Sequence, residues 1–293
     1  MNTVKKGDRL RDEVHALLVA AGKDAVESEK WLAGKKCDVY YEERSTVPGR
    51  TLRFALECKA YEAPIDRSLF GDIHRDYLVA ADHFDILIII TTNGLTSSVQ
   101  ESISAVDWMV HQLYQSFCNH LLDLDRYLRG LRDLFEKDGL NRYYEPVLDT
   151  DGEELEARVA AWVEGESDQP WAILAGYGMG KTSFSRRLAH RYADACLSGE
   201  SFRAPIYIKL GELAGEQSLE GLICKHFTQE NVVPGFSYPL FESFNRRGRF
   251  LIILDGFDEM KHAMSFEAFE FNVDQFRALV EPGARVLDRK SVV

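Results

Sequence analysis

The stretch that decides the fold is Ala175-Gly176-Tyr177-Gly178-Met179-Gly180-Lys181-Thr182. It directly follows the apolar run 171–174 and opens a segment with a helical pattern. Glycines let the backbone wrap so tightly that its N–H groups can surround a phosphate, and the start of a helix adds a dipole that favours an anion. In such a loop the lysine reaches the β and γ phosphates, and the next hydroxyl binds Mg²⁺. The stretch therefore predicts a site for a nucleoside triphosphate with Mg²⁺.

The eight-residue pattern that predicts the nucleotide site is a specific signal. Average residue usage gives roughly 0.02 chance matches in a chain this long, so a glycine-rich turn without a ligand is the minor alternative. Ala175 replaces the usual first glycine, where only a small side chain is needed. The predicted nucleotide-binding residues are Ala175, Gly176, Tyr177, Gly178, Met179, Gly180, Lys181, Thr182 and Ser183.

A second buried strand supplies the acid that such a site needs. The apolar run 250–254 ends in Asp255, and open α/β sheets bind ligands at the carboxyl ends of their strands. We therefore predict that Asp255 holds Mg²⁺ through water, while Asp258 or Glu259 orients the water that attacks the γ phosphate. An ordinary polar role at the strand end is a stronger alternative for Glu259 than for Asp255.

A separate group of charged residues lies near the N-terminus. Segments 36–42 and 52–60 are predicted strands joined by a turn over 45–50, which contains a proline and a glycine. Side chains alternate along a strand, so Glu57 and Lys59 share one face and Asp38 can approach Glu57. Two carboxylates can bind one or two Mg²⁺ ions, which polarise a phosphodiester and acidify a water. Lys59 is predicted to stabilise charge on the phosphate or to position the nucleophile.

The spacing of this acid–lysine pair is weak evidence when taken alone. Roughly two acid-x-lysine matches are expected by chance, and the chain has three, beginning at Glu57, Glu259 and Asp288. Only the match at Glu57 lies in an alternating strand that follows another strand bearing an acid. A surface salt bridge is the main alternative.

The second half of the chain resembles NACHT-type signal-transducing NTPases over about residues 141–286. The stretch 254–259 is similar to their extended Walker B motif, 205–210 to the strand between their Walker motifs, and 143–146 to the segment that lies near the base. The resemblance implies a switch driven by ATP, with GTP possible, that forms homo-oligomers after a C-terminal sensor detects a trigger. After 285–287 that family has a sensor strand ending in an arginine, whereas this chain reads 288–293 and ends. We therefore expect an incomplete domain without the lid and sensor.

The first half resembles the Mrr-like restriction endonucleases of the PD-(D/E)xK fold over about residues 7–110. The resemblance is carried by a first helix with Leu10 and Val14, then Asp38, Glu57-Cys58-Lys59 and the stretch 88–96. It implies that Asp38, Glu57 and Lys59 are catalytic and that DNA is the substrate. Many relatives also have an acid on the first helix, for which Asp12 and Glu13 are the nearest candidates.

Composition limits the remaining possibilities. The net charge of -12 over 293 residues disfavours a histone-like or repressor-like binder, although metal ions can supply the positive charge that a nuclease needs. The cysteines lack metal-ligand spacing and indicate buried thiols in a reducing compartment. No signal segment opens the chain, and the most apolar window, 86–90, is far shorter than the roughly 20 residues of a membrane span. These observations predict a cytoplasmic protein that does not enter membranes.

Alternating helices and strands predict an α/β fold with two domains. We expect a restriction-endonuclease-like domain over 1–120, a connecting helix over 121–140 and an incomplete P-loop NTPase domain over 141–293. Residues 106–140 look continuously helical and amphipathic, and packing of this helix on the first domain is an equal alternative.

Three functions follow from this organisation. The first is an NTP-regulated, Mg²⁺-dependent DNA endonuclease of bacterial antiphage defence. The second is a nucleotide-driven signalling or scaffold protein whose N-terminal domain binds DNA or a partner without cutting. The third is a fragment that performs neither task.

Overall fold

In a computed structural model the chain divides into two units, Met1–Leu122 and Asp123–Val293. The structure describes residues 3–137, 139–165, 169–176, 178–210, 218–256, 279–280 and 284–291. Both units combine helices with a sheet that contains parallel strands, which confirms the predicted α/β class. No helix in the described part of the chain has both the length and the apolar character needed to cross a lipid bilayer.

The first unit is built on a five-stranded sheet with the order β1-β4-β5-β6-β7. Strands β1, β4 and β5 pair antiparallel, and β5, β6 and β7 pair parallel. Its elements are α1 (Thr3–Ala20), β1 (Asp24–Ser28), β2 (Trp31–Leu32), β3 (Lys35–Lys36), β4 (Val39–Arg44), β5 (Thr51–Lys59), α2 (Arg67–Leu78), β6 (Ile86–Thr91), α3 (Ser97–Ser104), β7 (Met109–Leu113) and α4 (Tyr114–Leu121).

The predicted hairpin is present as β4 and β5. Tyr40 pairs with Ala55 in its register, and Gly49 in the turn has a φ of 78°, which favours glycine. Ala55 packs with the buried cluster that contains Tyr77 of α2. Both faces of β5 and β6 are buried, because helices cover the two sides of the parallel part of a sheet. This burial explains the continuous apolar run that predicted β6.

The prediction of a single helix over 106–140 is wrong. The structure forms β7, α4 and α5 (Asp125–Lys137) from this stretch. Strand β7 pairs in parallel with β6, and that tertiary pairing overrides the helical period of the sequence. Helix α5 packs on the helix that follows the glycine-rich loop and belongs to the second unit. Helix α5 is therefore part of the second unit.

Among the residues that the structure describes, the second unit has a four-stranded, fully parallel sheet with the order β8-β11-β10-β9. After α5 its described elements are α6 (Leu140–Tyr143), α7 (Leu155–Glu164), β8 (Trp171–Ala175), α8 (Lys181–Leu197), β9 (Ala204–Lys209), α9 (Leu219–Lys225), a π-helical turn (His226–Glu230), α10 (Tyr238–Arg246), β10 (Phe250–Asp255) and β11 (Arg285–Ser291). Strands β8, β9 and β10 and helix α8 match their predicted positions.

Strand β11 is an element of the sheet that the sequence analysis did not predict. It lies between β8 and β10, with Val286 opposite Ile252. The sequence analysis missed it because the charged stretch 288–290 follows only a short apolar segment. A parallel strand with neighbours on both sides draws its hydrogen bonds from those neighbours, which the local sequence does not show. The expected absence of the lid and sensor stays a prediction.

At the β9 end of the described sheet, a side chain satisfies the backbone. The Tyr207 amide donates a hydrogen bond of 2.8 Å to the hydroxyl of Tyr127 on α5. The same hydroxyl lies 3.3 Å from Nε2 of His226, and all three residues are buried. Burial lowers the pKa of His226 to about 4, from an ordinary value of 6.5. The imidazole is therefore neutral in the folded protein, although Glu230 Oε2 lies 3.4 Å from its Nδ1.

This buried histidine predicts acid sensitivity. As pH falls from 6.5 towards 4, the unfolded chain takes up a proton that folded His226 does not, so the free energy of unfolding should fall by about 3 kcal/mol. Urea unfolding at several pH values measures this loss. His226→Gln should remove that part of the pH dependence, whereas His120→Gln, at an exposed position, should leave it unchanged. Identical pH profiles for wild type and His226→Gln would contradict the prediction.

Candidate functional site

The glycine-rich loop joins β8 to α8 as the sequence predicts. Gly178 and Gly180 have φ values of 78° and 74°. A Cβ built at either position meets nothing within 4 Å, so the left-handed backbone, rather than lack of space, is what requires glycine there. Met179 between them is 66% exposed. Tyr177 lies outside the described residues.

Lys181 is held inside the loop. Its side chain is only 8% exposed, and Nζ donates hydrogen bonds to the carbonyls of Ala175 at 3.0 Å and Gly176 at 2.8 Å. Thr182 and Ser183 follow on the first turn of the 17-residue helix α8 and are half-buried. An ammonium, two hydroxyls and the positive end of a long helix thus lie together, which is an arrangement suited to phosphate.

Asp255 ends β10 at the same edge of the sheet. One strand, β11, separates β8 from β10, so their carboxyl ends are about 10 Å apart. Asp255 is 4% exposed, and its Oδ2 accepts a hydrogen bond of 2.6 Å from the Tyr207 hydroxyl. Hydroxyl and carboxylate oxygens are ligands that Mg²⁺ prefers, so Thr182 and Asp255 fit such a cation. Asp258 and Glu259 lie outside the described residues.

The predicted acid–lysine pair is formed in the first unit. Glu57 is 5% exposed, and its Oε1 accepts a hydrogen bond of 2.6 Å from Lys59 Nζ. Its Oε2 accepts a second bond of 2.6 Å from the hydroxyl of buried Tyr77. Lys35 Nζ is 4.0 Å from Oε1. Tyr77 and Lys35 were not found from the sequence, because neither lies at a telling spacing from Glu57.

Asp38 lies just before β4 and contacts the same segment. Its Oδ2 accepts a hydrogen bond of 2.7 Å from the Cys58 amide. Burial and, next, the charge of Glu57 raise the pKa of Asp38 to about 6. Burial acts to lower the pKa of Lys59, but attraction to Glu57 outweighs it and raises that pKa. The two acids therefore sense each other, and a divalent cation would relieve their repulsion.

An open cleft of about 360 Å³ gives access to Asp38 and Lys59. Gly7 and Asp8 of α1 also line it. The two acids predicted on this helix, Asp12 and Glu13, pair with Arg11 and Arg9 and are not among the residues that line the cleft, whereas Asp8 lines it and also pairs with Arg11 at 3.2 Å. Asp8 is therefore the acid of the first helix that faces the cleft, one turn before the predicted position.

Within the described stretches, no group of three or more His, Cys, Asp or Glu side chains is arranged to hold a metal ion. The cation predicted in the first unit would therefore have two protein carboxylates as candidate ligands, those of Asp38 and Glu57. Mg²⁺ commonly binds through one or two carboxylates and keeps several waters. Asp38 faces the cleft, whereas both oxygens of Glu57 already accept hydrogen bonds from Lys59 and Tyr77.

Comparison with known proteins supports the predicted resemblance of the second unit to NACHT-type NTPases. A model of the NACHT domain family matches residues 171–282. An uncharacterized WD repeat-containing protein of Nostoc sp. strain PCC 7120 is 30% identical over 139 residues, which are 45% of this chain and 9% of that protein. The chain thus spans a small part of this relative.

Among solved structures, the crystal structure of a protein of unknown function aligns with 65% of this chain and 99% of its own. Its TM-score is 0.30 and its sequence identity 16%, so this likeness carries no argument.

The conclusion about the second unit rests on the family model. The second unit contains a P-loop NTPase domain of the NACHT family over residues 171–282.

Proposed function

We propose that the second unit is a switch that binds and hydrolyses a nucleoside triphosphate with Mg²⁺. The observation that carries this proposal is buried Lys181 inside the loop, at the sheet edge where Asp255 ends its strand. Lys181 would hold the β and γ phosphates, and Thr182 and Asp255 would hold Mg²⁺ directly and through water. Asp258 or Glu259 would orient the attacking water. ATP is the proposed nucleotide, with GTP as the alternative.

The proposed role of the first unit is Mg²⁺-dependent cleavage of DNA. It is supported by the contact between Glu57 and Lys59 on one strand face. It is also supported by Asp38, whose pKa is raised by burial and by the nearby charge of Glu57. A cation held by the two carboxylates would activate water and polarise the phosphodiester. Lys59 would stabilise the charge that develops on the phosphate. Nucleotide-driven homo-oligomers that control this cleavage would suit a bacterial antiphage defence protein.

A second candidate is a switch whose first unit binds DNA or a partner without cutting. Both oxygens of Glu57 already accept hydrogen bonds at 2.6 Å, and the side chain is almost fully buried. A cation would have to compete with Tyr77 or Lys59 for this carboxylate. The Nostoc relative is described as a WD repeat-containing protein, and WD repeats form propellers, which would suit a scaffold.

Supercoiled plasmid separates these candidates. We expect the full chain to nick or linearise plasmid in Mg²⁺ with ATP, and to leave it intact in EDTA. Binding of a fluorescent ATP analogue and of DNA is measured in parallel. If both ligands bind but plasmid stays supercoiled under all conditions, the nuclease proposal is overturned and the non-cleaving candidate is favoured. If the analogue does not bind, the proposed switch is overturned.

A further inference from the structure

The buried contact between Tyr207 and Asp255 has no role in the nucleotide site described so far. The Tyr207 hydroxyl oxygen and Asp255 Oδ2 are 2.6 Å apart, and each of the two residues is 4% exposed. A short hydrogen bond to a buried carboxylate is charge-assisted and is stronger than a neutral one. It restricts rotation of the carboxyl group about its Cβ–Cγ bond, so it fixes the direction in which the oxygens point.

The backbone on both sides of this contact is held independently. Strands β9 and β10 pair in register from Phe250–Ala204 to Asp255–Lys209, and the Leu210 amide donates to the Asp255 carbonyl at 2.8 Å. The Tyr207 amide donates to Tyr127 of α5. The Tyr207 ring is therefore carried by a strand anchored along its length. Its hydroxyl reaches Asp255 from a fixed base.

We propose that Tyr207 is a positioning residue for the cation of the nucleotide site, acting through Asp255. The inference rests on the proposed function, because it requires Asp255 to hold Mg²⁺. The Tyr207 hydroxyl keeps the carboxylate turned so that it can accept a hydrogen bond from water on the cation. Residues that orient metal-binding groups in this way typically change metal affinity by about 10- to 100-fold when they are replaced.

The test is Tyr207→Phe in the full chain, which removes the hydroxyl and keeps the ring. A fluorescent ATP analogue is titrated in EDTA and again over a range of Mg²⁺ concentrations. We expect the Mg²⁺ concentration for half-maximal enhancement to rise about 10-fold, while affinity in EDTA stays within about 2-fold. The matched control, Tyr127→Phe, removes a buried hydroxyl that does not contact Asp255. It should change neither value, because the pairing of β9 with β10 still holds the Tyr207 backbone.

Each other outcome overturns the inference. The inference is overturned if Tyr207→Phe behaves as wild type. It is also overturned if both variants need equally more Mg²⁺, which would assign the effect to the strand rather than to the hydroxyl. Loss of binding in EDTA by Tyr207→Phe would assign the hydroxyl to folding. If wild type itself binds the analogue no better with Mg²⁺, the proposed function fails together with the inference, and that result is separate from failure of Tyr207 alone.

Discussion

Lys181→Ala is expected to weaken binding of ATP with Mg²⁺ by about 100-fold. The ammonium lies at the base of the loop and donates to two loop carbonyls, from which it can turn towards phosphate. Loss of two hydrogen bonds from a charged donor to phosphate corresponds to about 3 kcal/mol, or about 100-fold in affinity. Titration of a fluorescent ATP analogue measures the change, and hydrolysis of ATP should fall at least as much.

A matched control for Lys181 lies in the same loop. Met179→Ala changes an exposed side chain and leaves the backbone donors in place, so we expect affinity within about 3-fold of wild type. Thermal unfolding shows whether Lys181→Ala still folds, because the substitution leaves two loop carbonyls without this donor. A folded Lys181→Ala protein that binds ATP as tightly as wild type would contradict the assigned role.

The parts of the fold that the sequence predicts well are those set by local chemistry. Strand β8, its loop and the start of α8 lie where the sequence predicts them, because left-handed glycines and a helix start are encoded within a few residues. The hairpin of β4 and β5 was predicted from alternation and a turn signal. The same alternation placed Glu57 and Lys59 on one face, where the structure brings their charged atoms together.

The parts that the sequence did not predict depend on partners distant along the chain. Strand β7 has a helical period in its surroundings, yet it pairs with β6. Strand β11 is defined by its two neighbours rather than by its own residues. Tyr77 and Tyr207 reach their acids across 20 and 48 residues, and no spacing rule links residues so far apart. Packing therefore selects the residues that orient both candidate sites.

Lys59→Ala is expected to lower Mg²⁺-dependent cleavage of plasmid by about 1,000-fold. The reason is that Lys59 donates a hydrogen bond of 2.6 Å to Glu57 and lines the cleft together with Asp38. A group that stabilises charge only in the transition state typically contributes about 100- to 1,000-fold to the rate. The initial rate of plasmid nicking measures the effect, while DNA binding should change by less than about 10-fold because one phosphate contact carries a small share of it.

Lys36→Ala is the matched control for this site. Lys36 is also a lysine of the first unit's β structure, but it pairs with Glu29 at 2.7 Å and is partly exposed, so its loss should leave the nicking rate within about 3-fold of wild type. Equal rates for Lys59→Ala and wild type would show that any cleavage arises elsewhere. Cleavage lost equally in Lys59→Ala and Lys36→Ala would assign the effect to general positive charge. Only a selective loss in Lys59→Ala, with DNA binding retained, matches a strand face on which Glu57 and Lys59 act together on the phosphodiester.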